Sequence, residues 1–357
     1  FPFAAPITAR FLKTLDIDRQ VKQAGFVNES AWELSLDNNL SGLLSPERNQ
    51  RLQQLICERF STKTADEWEA ILGQVGISCS VVRTREEWLT LPPLAKSGVF
   101  TQMGEGNATL TVPGRLADIS GPEGQLPGIT SKDAKRINLQ QANDLCSDRT
   151  VTDVNSGTVP QLKKSDLLKG LKVLDLSNIV AGPMSSYTLS QYGAEVIKAD
   201  PPNKEAHNDY LMTVMLESNQ SKRSLLTDVN TASGRKILEQ LIAWADVIVH
   251  NRLDDVAKRL GVSHEQLQAI NPNVVSCQLS AYGGTWRGDW DRRPGFDNQL
   301  QCASGLMAQY GGSRETPQWH GTTAAGDILG GLGLAFSAVL GVYQQRKTGY
   351  GGEGRSS

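Results

Sequence analysis

From Lys169 onward, short apolar runs alternate with helix-length stretches, and this alternation constrains the fold more than any other feature of the chain. The runs Lys172 to Leu176, Glu195 to Lys198, Asp246 to Val249 and Val274 to Leu279 have strand length. Strands spaced by helices are the pattern of βαβ units, because a parallel neighbour can be reached only through a crossover. The later region is therefore expected to be an α/β domain built on a Rossmann-like parallel sheet. Its first strand runs into Ser177-Asn178-Ile179-Val180-Ala181-Gly182-Pro183, which lacks the three-glycine fingerprint of dinucleotide binders, so NAD is not expected. The apolar run Ile328 to Val342 falls short of the ~18 residues of a spanning segment and is interrupted by glycine. It reads as a buried helix, and no membrane association is expected.

Residues 10 to 95 have a different texture. Ser45-Pro46-Glu47 combines an N-cap with proline at the first helical position, and Leu52, Leu55, Ile56 and Phe60 then share one face. Thr64-Ala65-Asp66-Glu67 has capping-box spacing ahead of Trp68, Ile71, Leu72 and Val75, and Gly76 closes that helix. Ile77 to Val82 and Ala108 to Val112 read as short strands. Residues 120 to 167 are rich in Ser, Asp, Lys, Gly and Asn with little periodicity, as in a linker. The division expected is 1–119, a smaller α+β region; 120–168, a linker; and 169–357, the sheet domain.

With 36 Lys and Arg against 38 Asp and Glu, the net charge of −2 gives no reason to expect a nucleic-acid partner. The cysteines, Cys57, Cys79, Cys146, Cys277 and Cys302, have no metal-ligand spacing, so no metal is expected. Their odd number suggests a reducing interior: the cytoplasm, with mitochondrion and peroxisome left open. The chain begins Phe1-Pro2-Phe3, without Met and without the flanks of a signal peptide, as a chain starting within a longer protein would.

Several short motifs occur together in one order: Leu174-Asp175-Leu176, Ala181-Gly182-Pro183, Tyr192-Gly193-Ala194-Glu195-Val196-Ile197-Lys198, Lys222-Arg223-Ser224, Ala245 to Asn251, Arg293-Pro294-Gly295-Phe296-Asp297, Ala325-Gly326-Asp327 and Arg346-Lys347-Thr348-Gly349. In that order they resemble family III coenzyme A transferases, which include formyl-, carnitine- and α-methylacyl-coenzyme A enzymes. Residues 169 to 349 resemble the family's N-terminal, coenzyme-binding part. Glu58-Arg59-Phe60, Thr64 to Trp68 and Gly76 to Val82 resemble pieces of its small domain, which in a family chain comes afterwards. The inverted order suggests a tandem fusion, with circular permutation as the rival. The resemblance implies interlocked architecture, as a dimer or a pseudo-dimer within one chain.

It also implies chemistry. Asp327 matches the family's catalytic aspartate, which attacks an acyl-coenzyme A and later hands coenzyme A to a carboxylic acid. On position alone, Asp327 ahead of an apolar helix reads as an N-cap. A helix N-terminus would favour its ionised form by ~0.3 to 1 kcal/mol. The resemblance places coenzyme A contacts at Ile179, Val180 and Ala181, at Lys222 and Arg223, at Asn251, Arg252 and Arg259, and at Tyr282 and Gly283. Family racemases carry a His where this chain has Phe296, which favours transfer over racemisation unless His320 substitutes. The expected activity is an acyl-coenzyme A:carboxylate transferase. A transferase/lyase of the dimethylsulfoniopropionate type, a racemase and a non-catalytic coenzyme-binding half are the alternatives.

Overall fold

The computed structural model describes residues 5–23, 46–103, 109–121, 124–125, 140, 167–202, 216–283, 289–321 and 324–357. Ser45, Ala108, Cys146 and most of the expected linker lie outside them.

In the first region α1 (Ala5–Thr14), α2 (Asp18–Gln23), α3 (Pro46–Phe60) and α4 (Ala65–Gln74) close over Leu12, Leu15, Leu52 and Trp68, with Leu55, Ile56 and Phe60 packed against them. The face expected of α3 is the one buried. The Thr64 capping box forms: Thr64 Oγ1 accepts the Glu67 N–H, and the Glu67 carboxylate accepts the Thr64 N–H at 2.8 Å. The short helix α5 (Arg85–Leu89) and the antiparallel pair β1 (Phe100–Met103) and β2 (Leu110–Pro113) complete this region. Ile77 to Val82, expected as a strand, is irregular and joins no ladder. Its polar groups pair across the fold instead: the Val81 N–H donates to Glu69 at 3.0 Å, and the Ser80 hydroxyl meets the Tyr282 hydroxyl at 2.8 Å.

Six parallel strands form the body of the main sheet, in the order β7-β6-β5-β8-β9-β10. They are β5 (Lys172–Asp175), β6 (Glu195–Asp200), β7 (Arg223–Leu226), β8 (Val247–His250), β9 (Val275–Leu279) and β10 (Glu353–Ser356). This is the doubly wound order. Along one face α6 (Ala181–Gln191) and α12 (Ala325–Thr348) cover Val173, Val249, Val275 and Cys277. Along the other, α7 (Ala232–Trp244), α8 (Asp254–Leu260) and α9 (His264–Ile270) cover Leu174 and Ile248. α10 (Asp297–Ala303) and α11 (Leu306–Gly311) precede α12. α12 is apolar and long enough to cross a membrane, but half of its most apolar stretch is buried on the sheet and α6, the setting of a core helix.

Two features tie the first region to the sheet. Leu94, Trp88 and Leu91 share a core with Tyr282, Trp290 and Ala303. In addition β3 (Ala117–Gly121) pairs antiparallel with β10, and β4 (Gly124–Gln125) with β3. The boundary expected at 119 therefore falls inside a strand of the main sheet.

Candidate active site

In the middle of the sheet β5 and β8 are adjacent, and the chain leaves them in opposite directions. The loops that follow such a pair diverge and open a crevice at the carboxyl ends of the strands. Here it is a cleft of about 390 Å³, lined from β5 by Asn178, Ile179, Val180 and Ala181, and from β8 by Asn251, Arg252 and Leu253. Leu279 to Ala281, Arg293 to Phe296 and the start of α12 complete it.

The β5 loop is held in an unusual shape. Ile179 has φ +66°, a left-handed conformation that β-branched residues avoid. Asn251 clamps it, with Oδ1 accepting the Asn178 N–H at 2.8 Å and Nδ2 donating to the Asn178 carbonyl at 2.9 Å. Arg252 Nη2 adds a bond to Asn178 Oδ1 at 2.8 Å. Gly182 lets α6 start against this loop, since a Cβ there would stand 2.3 Å from that of Ser177. Beneath lies Asp175, fully buried and bonded by Ser186 and Lys222. Burial alone would raise its pKa, yet Lys198, Lys222, Ser177 and Ser186 hold it down to about 2.

Asp327 lies in the first turn of α12 and faces the cleft. It is not the N-cap: that position belongs to Ala324, with φ +37°. Its carboxylate makes no hydrogen bond among the described residues, and its pKa is pushed up to about 7, first by burial and then by the charge of Asp297. The stabilisation expected of the helix terminus is outweighed. Even in a partly buried setting a terminus offers no more than ~2 kcal/mol, about one and a half pKa units at about 1.4 kcal/mol each, less than the rise seen here. Asp297 itself is buried and accepts Gly326 N–H at 2.8 Å, Gln301 Nε2 at 2.6 Å and Trp319 Nε1 at 3.2 Å.

The cleft thus gathers Ile179, Val180, Ala181, Asn251, Arg252 and Asp327. Lys222 does not reach it. Its ammonium is spent on Asp175, the Pro183 carbonyl and Asn219, so it braces the β5 loop from behind. Arg223 points outward from β7 and pairs with Glu195, while Arg259 is exposed on α8. Tyr282 turns its hydroxyl to Ser80 in the first region, and Gly283 packs on Ser280 and Asp291. Phe296 lines the cleft, whereas His320 stacks on Tyr310 with centroids 4.5 Å apart and does not line it. Asp297 was missed from sequence although it adjoins Phe296. Arg293 was also missed as a site residue. An acidic residue directly after the Arg-Pro-Gly-Phe motif was the available signal.

A strained loop at the switch point of a doubly wound sheet, facing a carboxylate whose pKa burial and Asp297 push up to about 7, defines the site of this α/β protein. The family model for CoA-transferase family III matches residues 6–128 and 168–355, and the chain belongs to that family. It is 31% identical over 297 residues to a CoA-transferase/lyase DddD of Marinomonas sp., covering 81% of this chain and 35% of that protein. The human succinyl-CoA:glutarate CoA-transferase is 32% identical over 197 residues, 52% of this chain and 43% of its own. A CAIB/BAIF family protein from Brucella suis, of known crystal structure, is 30% identical and covers 53% of this chain and 52% of its own, with a TM-score of 0.47. The chain spans less than half the length of the Marinomonas and human relatives.

Proposed function

We propose that the protein is an acyl-coenzyme A:carboxylate coenzyme A transferase working through covalent intermediates on Asp327. The observation that carries this reading is the Asp327 carboxylate itself, which lines the cleft and makes no hydrogen bond to a described residue, so its oxygens are available for attack. It attacks the thioester carbonyl, forming C–O and breaking C–S, to give an aspartyl anhydride and coenzyme A thiolate. The thiolate attacks the aspartyl carbonyl, which frees the first acid and leaves an aspartyl thioester. The acceptor carboxylate displaces the thiolate, and the thiolate then takes the new acyl group and restores Asp327.

For the coenzyme, Arg252 is the natural phosphate contact. It lines both the cleft and an adjoining recess of about 160 Å³ formed by Leu176, Ala199, Asp200, Val229 and neighbours. That recess offers the apolar slot an adenine needs. Phe296 supplies no second base, which favours transfer over racemisation. A transferase/lyase is the second reading, favoured by the match to the Marinomonas protein over most of this chain. The family match in two pieces on either side of residues 129–167 supports a fusion, with 1–119 from the end of one copy and 169–357 from the start of the next. The exposed apolar side of α12, with Leu329, Leu332, Phe336 and Tyr343, is a surface an interlocked partner or second half would cover. Free cysteines at 57, 79, 277 and 302 fit an intracellular, reducing setting.

Borohydride or hydroxylamine added during turnover, followed by peptide mass spectrometry, tests the reading. A mark on Asp327 is expected. Transfer activity that survives Asp327→Ala would sink it.

A further inference from the structure

Arg293 lines the same cleft as Asp327, and part of its surroundings come from the first region. Its guanidinium carbon lies 4.2 Å from the centre of the Trp290 ring. On α4, Gly73 leaves it room, because a Cβ there would stand 3.2 Å from Arg293 Nε. Glu69 is the nearest acid, with Oε2 at 3.5 Å from Nη1. That separation is beyond good hydrogen-bond length.

Glu69 is already committed. Arg83 grips it with two bonds, of 2.8 and 2.7 Å, and the Val81 N–H adds a third at 3.0 Å. One buried carboxylate thus faces two guanidinium groups, and one positive charge is left over. Asp66, 3.6 Å from Arg83, does not cancel it, because its side chain is 83% exposed and water screens it. No guanidinium N–H of Arg293 makes a hydrogen bond to a described residue. The cleft therefore contains a fixed cation that only shares Glu69 with Arg83 and makes no hydrogen bond through its guanidinium to a described residue, next to apolar walls such as Leu279 and Leu300.

We propose that Arg293 recognises the far end of the acid: it binds a second carboxylate, so that dicarboxylic acids are chosen over monocarboxylic acids of equal length. This rests on the transferase reading for the role of the acid. A planar guanidinium matches a carboxylate with two parallel bonds, which a lysine cannot reproduce. Trp290 and Gly73 hold that plane in advance, so little ordering cost remains at binding. Arg252, the other cation among the described residues lining the cleft, is bonded to Asn178 and shared with the coenzyme recess, which leaves Arg293 for the acid.

Succinate and butyrate differ only in the second carboxylate, and their binding in the presence of coenzyme A is measured by calorimetry. The native protein is expected to bind succinate more tightly by roughly ten- to hundredfold. Arg293→Met should abolish that preference and leave butyrate binding unchanged, while Arg293→Lys should keep part of it. Equal affinity for the two acids, absence of binding, or tighter binding of an acid ending in a sulfonium would overturn the proposal. So would a loss in Arg293→Met that is equal for both acids, the mark of a packing role. Trapping on Asp327 is scored in parallel. An adduct without acid preference refutes only the role of Arg293, and a preference without adduct supports that role while refuting the covalent transferase.

Discussion

Gly326, one residue ahead of Asp327, donates its backbone N–H to Oδ1 of Asp297 at 2.8 Å. The same acid that fixes the start of α12 also supplies the negative charge that raises Asp327. Placement of Asp327 and part of the rise in its pKa, beyond what burial supplies, are thus two effects of one carboxylate.

If Asp327 is the nucleophile proposed above, it must be ionised to attack, and the rate of acyl transfer is expected to climb through a limb near pH 7, set by its raised pKa. A pH–rate profile of single-turnover acylation measures it. An acid limb near pH 4 would contradict the environment described.

Stability should show the opposite slope. Between about pH 4 and 7 the folded protein holds a proton on Asp327 that the unfolded chain has released, so stability falls as pH rises through the folded pKa. Asp327→Asn removes that loss. It should stabilise the fold above pH 7 by roughly 1.4 kcal/mol for each unit of the rise, about 4 kcal/mol at most, and by little at pH 4, as read from urea melts.

Asp297→Asn removes the charge beside Asp327, so the acid limb of the profile should move to lower pH. The new amide nitrogen would face two donors, Gln301 Nε2 and Trp319 Nε1, which now share Oδ2. A stability loss of about 1–3 kcal/mol is expected with the shift. A variant with an unmoved limb would remove Asp297 from the tuning of Asp327.

Lys222→Ala separates a brace from a phosphate contact. Leaving the fully buried Asp175 without this partner should cost about 3–5 kcal/mol. Any weakening of coenzyme A binding should track unfolding. If coenzyme A affinity dropped while the melting curve stayed put, Lys222 would be a ligand contact after all.

Gly182→Ala places a Cβ 2.3 Å from that of Ser177 and 3.2 Å from Asn251 Cγ. Overpacking of this kind costs about 1–3 kcal/mol. Because Asn251 clamps the β5 loop, coenzyme A affinity should fall as well. Parallel denaturation and calorimetry test both effects.

The strands β5, β6, β8 and β9 were legible because their apolar side chains announce burial directly. β7 and β10 were not: Arg223–Leu226 is mostly exposed, and Glu353–Ser356 contains no apolar residue. Their strand character comes from pairing, which no local pattern records. The same holds for the site. Asp327 and the two loops could be named from ordered motifs, while Lys222 looked like a free surface cation because the buried acid it neutralises lies 47 positions earlier. Asp297 and Arg293 stood in a quoted motif, but their links to Gly326 and Glu69 could not be read from it, since those partners are distant in sequence.

The place of β3 has one further consequence. Because it is laced to β10 while Trp88 and Leu94 share a core with Trp290, the first region is joined to the sheet at two separate places. A break placed anywhere between 126 and 166 would then leave both ends anchored. Two polypeptides cut there and produced together should reassemble into one working body, with the seam carried by a strand pair and a shared core in place of a peptide bond.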